Sequence, residues 1–131
     1  MKYLNILTCA VMILFAAVQY NDPDAALWIV IYLVPAAWTG LAAFGMDRLR
    51  GRLPLSLLGL CAVLAVIGTI VYWPQTPGFW RIDVWWETEA AREGMGMMAA
   101  TLAIGVAVVT VALDAAGQRR GDQGENSELK I

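Results

Sequence analysis

Four stretches without a charged residue decide what this chain can fold into: residues 3–21, 25–46, 53–80 and 94–113. Each reaches the roughly 20 residues that a helix needs to cross a hydrocarbon layer ~30 Å thick. A water-soluble fold made of four such helices would have almost no polar face to turn outward. Composition points the same way. Hydrophobic residues make up 60% and charged residues 15%, against roughly 45–50% and about 25% in soluble domains. The 131 residues suit one domain. The predicted fold class is therefore all-α, a bundle of four transmembrane helices near residues 3–20, 25–44, 54–73 and 88–114. They form one domain over residues 1–116. The tail, residues 117–131, is polar, Gly-rich and charged, and is expected to be disordered. Lys2 followed by an apolar run resembles a signal peptide, but the run exceeds the usual 7–15-residue core and no small-x-small cleavage site follows. It is read as a retained first helix.

Between the first two runs stands Gln19-Tyr20-Asn21-Asp22-Pro23-Asp24, which carries two acids and two amides where a spare polar residue is least expected. Asp22 is placed to cap the second helix, with Pro23 at its first position, where a missing N–H costs nothing. Asp24 then lies in the first turn, favoured by the positive end of the helix dipole. Capping leaves Gln19 and Asn21 unexplained.

In the second helix, Trp28 and Tyr32 suit an interfacial aromatic belt, and Pro35 should kink the span. Ala36 and Gly40, several small residues of the third helix, and Ala99, Ala103 and Ala107 of the fourth offer close-packing surfaces. From Trp73 to Glu87, Pro74, Pro77 and Gly78 end the third helix. Phe79, Trp80, Ile82, Val84, Trp85 and Trp86 follow, the pattern of a loop or short helix lying in the interface. Trp28, Trp80, Trp85 and Trp86 are taken as the interface aromatics. Cys9 and Cys61 lie far apart inside predicted spans and read as small apolar residues. No His is present, which removes the commonest metal ligand and general base. No cofactor is implied, and no metal site is assigned.

Lys2, Arg48, Arg50, Arg52, Arg119, Arg120 and Lys130 all fall on one side of a four-span hairpin pair, and Arg81 and Arg92 on the other. Positive charge stays in the cytoplasm, so both termini and the middle loop are expected inside. The expected setting is an inner or plasma membrane of bacterial type. Asp22, Asp24, Asp83, Glu87, Glu89 and Glu93 then form an acidic outer rim. With a net charge of −2, no nucleic-acid partner is indicated.

On the fourth helix, Glu89, Arg92 and Glu93 share one face at i, i+3 and i+4. If helix order brings that face to the first turn, two outcomes are open. In one, Arg92 bridges carboxylates and closes the bundle as a polar clamp. Alternatively, Gln19, Asn21, Asp22, Asp24, Glu89, Arg92 and Glu93 line a small acidic pocket suited to Ca²⁺ or to an amine held partly by aromatic rings.

Val18-Gln19-Tyr20-Asn21-Asp22-Pro23-Asp24, followed by Trp28, Tyr32, Pro35 and Ala36, resembles the signature of the transmembrane protein 220 family. Glu89-Ala90-Ala91-Arg92-Glu93, with Gly96 downstream, is similar to that family's second motif. The resemblance implies a small multi-helix membrane protein and that the two motifs belong together. It implies no substrate or mechanism.

Three functions fit. The first is a non-enzymatic accessory subunit or scaffold, in contact with membrane lipids and with other subunits or a second copy. The second is a cation- or amine-binding protein, alone or as part of a transport path, though no charge lies mid-span where ion pathways usually carry one. The third is a small enzyme acting on lipid headgroups, with Glu89 or Glu93 as base.

Overall fold

The computed structural model describes residues 1–130. In order, it contains α1 (Lys2–Ala17), α2 (Ala25–Phe44), a 3-10 turn (Met46–Leu49), α3 (Arg52–Val71), α4 (Ile82–Glu87) and α5 (Glu89–Leu129), with no strand among the described residues. Three of these, α2, α3 and α5, are long and apolar enough to cross a membrane, and α1 is a shorter apolar helix. At 16 residues, α1 is about 24 Å long. It stops at Ala17 rather than near residue 20: the Val18 amide still donates four residues back to Leu14, but the Gln19 and Asp22 amides donate three back, to Ala16 and Gln19, and tighten the chain into turns.

α2 begins at Ala25, with Asp24 rather than Asp22 at its cap and Pro23 outside the helix. The Asp24 carboxylate makes no cap, because it accepts the Trp28 indole N–H at 2.9 Å. The Asp22 carbonyl closes the turn by accepting from the Ala25 amide. Pro35 sits buried within α2. One turn on, the Thr39 hydroxyl returns a hydrogen bond to the Pro35 carbonyl at 2.8 Å.

Successive helices alternate in direction. Lys2 lies over the Phe44 ring, and Arg50 pairs with Asp114 through two hydrogen bonds of 2.9 and 3.0 Å. These contacts gather the start of α1, the end of α2, the start of α3 and mid-α5 at one end of the bundle. The α1–α2 turn, the Trp-rich segment and the start of α5 occupy the other, the Asp24 end.

α5 is the hub: it packs on α2, α3 and α1, while α1 packs mainly on α2. Its inward stripe is built from small residues, Ala91, Gly94, Ala100, Ala103 and Ala107. Lipid tails are as apolar as leucine, so helices in a bilayer associate through close contact and hydrogen bonds rather than through hydrophobic burial. The wide side chains accordingly point outward, as Leu60, Leu64, Ile67 and Ile70 do along α3.

Polar ties fasten the helices where the sequence shows only apolar runs. Thr69 and Thr101 hydroxyls lie 2.7 Å apart, and Thr101 also donates to the Ala65 carbonyl, joining α3 to α5. Fully buried Asn5 donates to Thr110 at 2.7 Å, joining α1 to α5. Removing the first tie with Thr69→Val and Thr101→Val is expected to cost roughly 0.6–1.7 kcal/mol, the range of hydrogen bonds between membrane helices. A lowered thermal midpoint in detergent would register it.

The tail expected to be disordered is helical through Leu129. Residues 116–130 are all exposed, so no packing holds them. Extending an existing helix adds one bond per residue fixed, without the cost of a new nucleus. Ile131 lies outside the described residues.

Candidate functional site

From its cap into α2, Asp24, Trp28 and Tyr32 follow one another at i, i+4 and i+8, which places them in a single stripe. On α5, Glu89, Glu93 and Gly96 form a second stripe. The two face each other at the Asp24 end, across a cavity of about 750 Å³. Its wall comprises Phe15, Val18 and Gln19 from α1 and its turn, Asp22 and Asp24 from the turn, Trp28 and Tyr32 from α2, Trp85 and Trp86 from α4, and Glu89, Arg92, Glu93, Met95, Gly96 and Ala99 from α5.

At the mouth, one carboxylate oxygen from each of Asp24, Glu89 and Glu93 lies within 4.8 Å of the others. Negative charges this close repel one another, and a cation among them removes that cost. Arg92 does not supply it. Its Nη1 donates to the Trp86 carbonyl at 2.6 Å. The ion pairs among the described residues are Arg50–Asp114 and Arg81–Asp83. Of the two arrangements left open by the sequence, a bridging Arg92 is not the one found: the last carbonyls of a helix lack partners within it, and Arg92 takes one at the end of α4 instead of a carboxylate.

Below the mouth the walls are aromatic. Trp28 is 3% exposed and Tyr32 5%, so neither belongs to an interfacial belt. Trp28 sits edge-on to Tyr72 at 5.4 Å, and Phe15 edge-on to Tyr32 at 5.5 Å. They are buried because α5 offers room: a Cβ on Gly96 would collide with the Tyr32 hydroxyl. Gly94 makes a second close approach. A Cβ there would come within 2.5–2.7 Å of Pro74 and of the Tyr72 carbonyl, so this glycine lets the end of α3 press on α5. The Tyr32 hydroxyl makes no hydrogen bond among the described residues.

The remaining residues predicted for the site divide. Gln19 lines the cavity but donates to the Phe15 carbonyl at 3.3 Å, not to Arg92 or Glu93. Asn21 is exposed and is not part of the wall. Trp85 and Trp86 line the cavity, whereas Trp80 stands outside it, edge-on to Phe79 at 5.3 Å. Sequence reasoning missed Phe15, the Tyr32 hydroxyl and Gly96 as wall elements. The i, i+4, i+8 spacing from Asp24 was the signal that linked Tyr32 to the acids.

A protein-family model described as "Transmembrane family 220, helix" matches residues 11–109, a range that holds every residue of the cavity wall. A Golgi apparatus membrane protein, TVP23 of Coccidioides immitis (strain RS), is 38% identical over 45 residues, covering 34% of this chain and 24% of that protein. The chain thus matches about a quarter of that relative's length. No solved structure matches.

Proposed function

The chain belongs to the transmembrane 220 family, and on that premise we propose that this integral membrane protein binds an organic ammonium ion at the mouth of its cavity. The observation that carries this reading is the carboxylate trio Asp24, Glu89 and Glu93, within 4.8 Å and without a pairing arginine. A primary ammonium has three N–H donors for three carboxylates, and the rings of Trp28, Trp85 and Trp86 suit a cation over their faces. Ca²⁺ prefers six to eight oxygen ligands, which these three carboxylates supply only if each binds through both oxygens or water completes the shell, and the indole rings add none.

The charge pattern supports four crossings with both termini in the cytoplasm, α1 completing its span through the turn that follows it. The acidic mouth then faces outward. An accessory or self-associating role drew on the small-residue stripes. Ala103 and Ala107 are used inside the bundle and lend that role no support.

Ethanolamine titrated into the full chain in lipid nanodiscs, followed by tryptophan fluorescence, tests the reading. Asp24→Asn combined with Glu93→Gln is expected to weaken binding roughly ten- to hundredfold, the size of lost charge-assisted hydrogen bonds. Unchanged affinity in a folded double variant would overturn the site.

A further inference from the structure

We propose that the ligand is a single-chain amphiphile whose head carries an ammonium nitrogen with an oxygen close behind it, received from the bilayer. This rests on the ammonium-binding reading above and names the ligand class of that site.

Size comes first. If one heavy atom with its hydrogens occupies about the volume of a liquid water, roughly 30 Å³, a cavity of about 750 Å³ holds on the order of 25 such groups. A small free amine would leave most of that space unfilled, and a two-chain phospholipid would overfill it.

Lining comes second. Beyond the carboxylates the wall is mainly apolar: Phe15, Val18, Met95 and Ala99 stand beside the aromatic rings, and Gln19 and Arg92 are the polar side chains that break it. Val18 stands at the rim 59% exposed, an apolar lip rather than a polar one. An apolar cleft with three carboxylates at one end is complementary to a molecule that is cationic at one end and hydrocarbon at the other.

The third observation is independent of the acids. The Tyr32 hydroxyl belongs to a side chain 5% exposed, lies against Gly96 in the cavity wall and has no partner among the described residues. The buried polar atom left without a partner among the described residues is Asn5 Oδ1; the Tyr32 hydroxyl instead opens to the cavity, where an oxygen of the ligand can meet it. Gly96 follows Glu93 by three residues, about 4.5 Å along the helix, so the ligand's oxygen lies just below its nitrogen.

The test compares five probes in nanodiscs: 1-aminododecan-2-ol, dodecylamine, dodecane-1,2-diol, ethanolamine and Ca²⁺. The amino alcohol is expected to bind most tightly and the diol not to bind. Tyr32→Phe, which removes one oxygen and keeps the ring, is expected to cost the amino alcohol roughly tenfold, the scale of one hydrogen bond to a buried group. Dodecylamine should be unaffected by that change. Ala99→Phe should weaken both amines with chains and spare ethanolamine. If ethanolamine binds as tightly as the amino alcohol and depends on Glu93, the amphiphile is overturned while the ammonium site stands. If no amine binds, or only Ca²⁺ does, both fall.

Discussion

Trp28→Ala is expected to lower stability by about 3–5 kcal/mol, the range for emptying a buried tryptophan site, and to abolish amine binding. Trp28 is 3% exposed and belongs to a core cluster drawn from α1, α2 and α5. Its ring packs on Tyr32 of its own helix at 5.9 Å and on Tyr72 beyond α3 at 5.4 Å. Its N–H donates to Asp24 at 2.9 Å, so removing it also frees a carboxylate of the trio. Trp28→Phe separates the two roles: it keeps most of the ring volume and loses the hydrogen bond, for about 1 kcal/mol. Equilibrium unfolding in mild detergent, followed by helical circular dichroism, measures both. A loss under 1 kcal/mol for the alanine variant would contradict the packing described.

Gly94→Val is expected to cost about 1–3 kcal/mol, the usual penalty of an overpacked site. A Cβ at Gly94 meets a proline ring and a backbone carbonyl within 2.5–2.7 Å, and neither group can turn aside. Two other glycines serve as controls. At Gly68 the obstacle is the flexible end of Met97, and at Gly105 nothing lies within 4 Å. Gly105→Ala should be neutral or should stabilise by up to about 1 kcal/mol through helix propensity. Equal losses at positions 94 and 105 would show that the end of α3 does not press on α5.

The contrast among these positions explains what was legible in the sequence. α2 was predicted at residues 25–44 and is found there, since Asp22-Pro23-Asp24 before it and Gly45 after it punctuate the chain. The inward face of each helix was not legible. In a soluble helix the polar side marks the surface, but a membrane helix is apolar all round, so Trp28 and Tyr32 read as belt residues although they are core. Arg92 was assigned to carboxylates because charge is visible in a sequence and the unpaired carbonyl at the end of a neighbouring helix is not. The meeting of the two acidic motifs depended on helix order, and α5 packing directly on α2 supplies it. The tail was judged on composition, and the continuity of a preformed helix prevailed over its glycines.

The hub position of α5 also bears on how the chain is made. α1 and α2, neighbours in sequence and in space, have each other as soon as both have left the ribosome. α3 has its main mate, and the Thr69–Thr101 tie, only once α5 has been synthesised. At about 5–20 residues per second, the 30 residues from Val71 to Thr101 take roughly two to six seconds. Throughout that interval α3 stands in the bilayer as a lone apolar helix, and the cavity has no floor. A nascent chain arrested before α5 therefore holds a paired α1 and α2 and an unmatched α3, the form in which membrane quality control would meet it.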